Sequence, residues 1–250
     1  MKKMLLTMMA ALVLSALASA QTVDEIIARN IQAHGGMEKL KSVTSIRQTA
    51  TLGGAFKAQI VEEIERPGKI RTEFIIQGMT QIEAYDGKVG WRVNPFGGRR
   101  DAERLSEDDT KDMVVDADID GPLVDYQQKG HKAELMGHDS VEGTDCYKVK
   151  LTLKNGDIRV YYLDADSYLE LKLETQTTVR GAIQEAERLY GDYDKVNGIY
   201  FPFALAYGGK DDPDPERITV DKVELNVPLD DSLFSMPSTK APAKAAASGK

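Results

Sequence analysis

The chain carries a single cysteine, Cys146, and a single tryptophan, Trp91, in 250 residues. One cysteine excludes an intramolecular disulfide framework and any metal cage built from thiolates. Histidine is almost as scarce: His34, His131 and His138 are the only ones. His131 and His138 flank one predicted strand at an odd separation of seven, so they point to opposite faces and share no metal. All three read as surface histidines. Basic charge is in deficit too. Lys and Arg number 32 against 40 Asp and Glu, and a formal charge of −8 argues against nucleic acid as a partner. Catalytic signatures are missing: there is no G-x-S-x-G elbow, no H-E-x-x-H, no phosphate-binding glycine loop and no C-x-x-C. The sequence thus predicts no catalytic residue, no cofactor and no metal. Asp116, Asp118 and Asp120 copy the first half of a calcium loop, but Gln127 stands where a bidentate Glu is needed. An acidic turn flanking a helix explains these aspartates better.

Long apolar runs are absent except at the N terminus. Lys2 and Lys3 precede fourteen mostly apolar residues, Met4 to Leu17, and Ala18-Ser19-Ala20 then offers a small-x-small cleavage site. Residues 1–20 therefore read as a signal peptide cleaved before Gln21, too short to be a membrane span. Export to the periplasm is expected, with no transmembrane span, and removal of the two lysines takes the charge from −8 to −10. Residues 21–237 form one predicted domain, and the Ala-, Ser-, Lys- and Pro-rich stretch 238–250 reads as a disordered tail.

What is present is a helix followed by many strands. Thr22 and Glu25 spell a capping box, and Val23, Ile26, Ile27 and Ile31 make one apolar stripe that His34-Gly35-Gly36 ends. Residues 37–41 add a short turn. From Thr44 the period changes from 3.6 to 2. Phe56, Ala58, Ile60 and Ile64 alternate with Lys57, Gln59, Val61 and Glu63, Ile70, Thr72, Phe74 and Ile76 with Arg71, Glu73, Ile75 and Gln77, and Val89, Trp91 and Val93 with Lys88, Gly90 and Arg92. Ser106 can cap a short helix to about Val115, and Asp120-Gly121-Pro122 can start another. Strands resume at His131. Tyr147, Val149, Leu151 and Leu153 form one, Asn155-Gly156 is a strong hairpin signal, and others are predicted at 157–164, 168–178, 183–194, 199–207 and 216–226. Cys146 shares the lysine side of its strand and reads as semi-exposed. Eleven or twelve antiparallel strands with three short helices must curl to bury an apolar face.

Arg66 ends a strand in phase with Phe56, Ile60 and Ile64, as does Glu62. An inward guanidinium is costly unless its donors are satisfied. Either it reaches past the sheet edge to water, or it donates to carbonyls at a helix end, which lack intrahelical partners.

Glu65-Arg66-Pro67-Gly68-Lys69, then Asp86-Gly87-Lys88, Trp91 and Asn94-Pro95-Phe96, and finally Leu233-Phe234-Ser235-Met236-Pro237, occur in an order that resembles the outer-membrane lipoprotein-sorting proteins, the LolA-like carriers. The resemblance implies an unclosed half-barrel of antiparallel strands, mainly β with a helical lid, whose concave apolar face holds acyl chains. It implies that Arg66 is a latch pinning a lid helix over 22–34, carrying Ile27 and Ile31, with help from 106–128. Ile60, Ile64, Phe74, Ile76, Trp91 and Phe96 would line the ligand surface. The partners implied are acyl chains of lipid or lipoprotein, and transiently a membrane-bound donor or acceptor protein. Residues 117–132 have no counterpart in the family pattern. Two other functions stay open: a sensor or accessory module that binds a protein, and a hydrolase using His138 and Asp139.

Overall fold

The computed structural model describes residues 21–54 and 57–237. Residues 1–20, expected to be a signal peptide, Phe56, and residues 238–250, expected to be a disordered tail, lie outside the described residues.

Two helices open the chain, α1 (Val23–His34) and α2 (Met37–Ser42). The capping box forms as the sequence predicts: Glu25 N donates to Thr22 Oγ1 at 3.2 Å, and Thr22 N donates to Glu25 Oε2 at 2.9 Å. Gly35 ends α1 at φ 130°, and a Cβ there would stand 2.6 Å from the Gly198 carbonyl oxygen. Only glycine permits that approach, which brings the end of α1 against a strand hairpin.

Six strands follow: β1 (Ser45–Leu52), β2 (Ala58–Glu65), β3 (Lys69–Ile76), β4 (Met79–Tyr85), β5 (Gly90–Asn94) and β6 (Arg99–Arg104). Helix α3 (Glu107–Asp116) separates them from β7 (Lys132–Val141), β8 (Thr144–Thr152), β9 (Ile158–Asp164), β10 (Glu170–Val179), β11 (Ala182–Val196), β12 (Ile199–Gly209) and β13 (Glu216–Leu225). All thirteen form one antiparallel sheet in the order β6-β5-β4-β3-β2-β1-β13-β12-β11-β10-β9-β8-β7. Each half is a meander, and the β1–β13 pairing joins first strand to last. The edges β6 and β7 do not pair with each other, so the sheet is an unclosed half-barrel with helices on its concave face.

Strand register sorts the side chains into rungs. Ile46, Ile64, Ile70 and Tyr85 are successive partners across β1–β4, and Ala117, just past α3, packs on Ile64 and Ile70. That rung is therefore concave. Gly90 continues it, and a Cβ there would fall 1.9 Å from Thr110 of α3, so glycine lets the helix lie against β5.

The adjacent rung, Arg47, Glu63, Arg71, Ala84 and Trp91, must face the convex side. This corrects the expectation for Trp91: it does not share a surface with Ile64. Its side chain is 1% exposed, its Nε1 donates to the Phe234 carbonyl at 2.7 Å, and the Arg71 guanidinium stands 5.8 Å from the ring. The apolar alternation around Trp91 is genuine, but it answers to the C-terminal segment, whose Phe234 is fully buried and accepts its hydrogen bond.

Other expectations shift as well. Strand β6 adds to the predicted count, and residues 118–130 are a run of turns rather than a helix begun at Asp120. Leu123 and Val124 of that run are buried, Leu123 within the cluster that α1 builds on β8 and β9. Cys146 is fully buried rather than semi-exposed.

Candidate functional site

The concave face has covered and open parts. Helix α1 covers β8 and β9: Ile26 and Ile27 are buried among Val149, Leu151, Tyr161 and Leu163. Ile27 thus belongs to a packed core, while Ile31 lines a neighbouring cavity of about 240 Å³ between α1, the 118–124 turns and β12. Helix α3 covers Ile64, Ile70 and Tyr85 through Met113, Ala117 and Ile119. Beside these helices runs an apolar belt built on Ala50, Val220 and Val223, to which Ile60, Phe203, Leu205 and Ile218 contribute while only half-buried. Phe74 stands opposite Ile60, and Ile76, two residues on, faces the same way. Phe96 meets Phe74 edge-on at 6.5 Å and is 41% exposed. Of the residues expected to line a ligand surface, Ile60, Phe74, Ile76 and Phe96 are thus close together, Ile64 lies under α3, and Trp91 is on the other face.

Arg66 sits between the end of α2 and the turns at 118–124. Its Nε donates to the Val43 carbonyl at 2.6 Å and its Nη2 to the Leu40 carbonyl at 3.3 Å. Those are carbonyls at the end of α2, so the helix-end contact is made to the short second helix rather than to α1. The same guanidinium grips Asp120 with both terminal nitrogens, Nη1 to Oδ2 at 2.9 Å and Nη2 to Oδ1. Lys41 shares that carboxylate at 2.7 Å, and Asp120 is 4% exposed. Burial alone would raise the Asp120 pKa, but Arg66 and Lys41 hold it below the usual carboxylate range. The acidic turn thus supplies counter-ions: Asp120 takes Arg66, and Asp118 takes Lys129.

His34, the last residue of α1, is half-buried rather than on the surface. Its Nε2 meets Glu170 Oε2 at 2.6 Å and its Nδ1 meets the Tyr200 carbonyl at 3.0 Å. Both ring nitrogens face pure acceptors, which only an imidazolium satisfies. Burial pulls its pKa down, yet the Glu170 charge and hydrogen bond carry it up to about 9. Asn30 and Tyr193 donate to the same carboxylate, so Glu170 is saturated. His131 accepts from Lys154 N, and His138 is exposed beside Asp145 at 3.2 Å. Asp139 pairs with Lys148 instead, so His138 and Asp139 form no catalytic couple.

Three further charges face the hollow, of which sequence phase revealed only Glu62. Asp116 ends α3, and Arg188 projects from β11 beside Tyr190. Burial raises the Glu62 pKa to about 7, with Asp116 adding to the rise and Arg188 opposing it. Asp116, crowded by protein at the end of α3 though still open to solvent, is raised as well. Arg188 stands in register with Leu173 and Tyr207, a strand position that the apolar pattern of 183–194 could have flagged.

No family model matches the sequence, and no curated protein matches it. The fold is shared with solved structures. A DUF1329 family protein from Desulfovibrio piger superposes with a TM-score of 0.57 at 13% identity, covering 86% of this chain and 98% of that one. A LolA superfamily protein from Nitrosomonas europaea gives 0.57 at 12% identity over the same shares. A protein from Vibrio parahaemolyticus, described as an outer membrane lipoprotein-sorting protein domain, gives 0.54 at 13% identity, covering 84% and 95%. The chain has a LolA-like fold, as the Arg66 to Phe96 motifs implied.

Proposed function

We propose that this protein is a periplasmic, non-catalytic carrier that holds acyl chains of a lipid or lipidated protein on its concave face. The observation that carries the reading is the half-buried apolar belt of Ile60, Phe74, Phe203, Leu205 and Ile218, flanked by helices tied down through Arg66. Contiguous apolar surface left accessible inside a fold marks a place for an apolar partner. No helix among the described residues is long and apolar enough to cross a membrane.

Burying one sixteen-carbon chain is worth about 12 kcal/mol at about 0.8 kcal/mol per methylene. Two or three such chains would exceed the practical ceiling of about 18–21 kcal/mol, so a carrier that must also release needs an opposing term. Displacing lids held by Arg66 supplies one. Native mass spectrometry of protein purified from periplasm, followed by solvent extraction, tests the proposal. Bound lipid or lipopeptide supports it; a protein that carries none and takes up none from mixed micelles contradicts it.

A further inference from the structure

Each half-buried or buried arginine of the described residues reaches a carboxylate, with one exception. Arg47 meets Glu63, Arg66 meets Asp120, Arg71 meets Glu73, Arg92 meets Glu103 and Arg159 meets Asp112. Arg188, also half-buried, has no carboxylate within 4.0 Å among the described residues, and its polar neighbour is the Tyr190 hydroxyl. Tyr207 offers its ring face at 5.8 Å. Glu62 and Asp116 are in the same position: neither forms an ion pair or a hydrogen bond among the described residues.

These three groups share the concave hollow. Asp116 and Arg188 line one cavity of about 100 Å³. Glu62 lies on the same face, between Ile60 and Ile64 of β2. Its raised proton affinity registers both Asp116 and Arg188, consistent with one common space. Opposite charges in a partly desolvated hollow attract and would close into an ion pair if their backbones allowed it. Here β2, α3 and β11 hold them apart. The result is a socket in which Arg188 faces Asp116 and Glu62 without pairing, rimmed by the Arg159–Asp112 ion pair and by Glu187, which Lys172 approaches, beside an apolar belt.

A ligand head bearing only an anion would satisfy Arg188 but be repelled by two carboxylates, and a cation alone would meet the reverse. A head carrying both charges satisfies all three groups. We propose that the hollow selects a zwitterionic amphiphile, whose phosphate pairs with Arg188 and whose ammonium lies between Glu62 and Asp116 while its acyl chain occupies the belt. This inference rests on the carrier reading and deepens it.

The test uses the mature chain and three probes with the same acyl chain, each below its micelle concentration: lysophosphatidylethanolamine, lysophosphatidylglycerol and monoacylglycerol. Displacement of a bound hydrophobic dye gives the affinities. The zwitterionic probe should bind at least ten-fold tighter than either other. Arg188→Gln should lose that advantage while leaving monoacylglycerol unchanged, and Arg188→Lys, which keeps the charge, should retain part of it. Glu62→Gln combined with Asp116→Asn should invert the order of the two phospholipids in favour of the anionic one. The wild-type ranking stands as a test even if a variant fails to fold. Equal binding of all three probes, tighter binding of the anionic probe, or variants that leave the ranking unchanged would overturn the head-group inference and leave the carrier intact. Failure of all three probes to bind would overturn both.

Discussion

At the scale of single residues, Arg66 and Asp120 show why removing one partner differs from removing both. Arg66→Leu leaves a carboxylate that is 4% exposed with Lys41 alone and takes donors from two helix-end carbonyls. The single variant should lose about 2 kcal/mol of stability in denaturant titration, a modest figure because Arg66 is itself partly exposed. Arg66→Leu with Asp120→Leu should recover much of that loss while still freeing α2. Amide exchange over residues 37–42 and 118–124 should accelerate in both; unchanged exchange in the double variant would show that the pair does not restrain the lids. A second pair sets a pH dependence. His34, raised to about 9, contributes stability that is fully present below its ordinary 6.5 and lost as pH rises through about 9. Glu170, held below its ordinary 4.5, contributes stability present above 4.5 and lost as pH falls toward about 2. Thermal stability should therefore decline from about pH 6 to about pH 9, and His34→Gln with Glu170→Gln should flatten that slope. A wild-type profile that is level across this window would contradict the pairing.

At the scale of elements, the C-terminal segment is a structural strap. Phe234 is fully buried and its carbonyl accepts from Trp91. Phe234→Ala should cost about 3–5 kcal/mol, as truncating a buried aromatic does. Because Trp91 looks to the convex side, its fluorescence should stay unchanged on saturation with an acyl ligand that occupies the concave belt. A ligand-induced emission shift in a protein with intact Phe234 packing would place the ligand on the wrong face. How much of this was legible in the sequence depends on which signals are local. The capped stripe of α1, the period-2 alternation of β2, β3 and β8 and the Asn155-Gly156 turn are short-range features, and each appears where the sequence places it. Arg66 was legible because strand phase makes an inward arginine conspicuous. Trp91 was misplaced because alternation identifies two faces without saying which is concave; that depends on Phe234, 143 residues away. His34 and Glu170 were missed for the same reason: their ion pair spans 136 residues. The run at 117–130 has the turn chemistry of a loop, yet its Leu123 and Val124 become core only once α1 stands over β8 and β9.

At the scale of the whole molecule, the thirteen-stranded sheet has more concave surface than its three helices cover. A structure that only needed stability would close the sheet or collapse the lids onto it, since accessible apolar surface is a liability. Here α1 packs firmly on β8 and β9, and α3 bridges β3–β5 to β9 and β10, while Ile60, Phe203, Leu205 and Ile218 stay half-buried beside them. That division of labour is the central claim: the flanks supply the stability and the middle holds the ligand. Photocrosslinking tests it most directly. A diazirine-bearing fatty acyl probe, activated on the mature protein and mapped by peptide mass spectrometry, should label β2, β3, β12 and β13 at concave positions such as Ile60, Phe74, Leu205 and Ile218, and unlabelled fatty acid should compete. Labelling confined to the convex face around Trp91 and Phe234, or spread evenly over the surface without competition, would contradict the account.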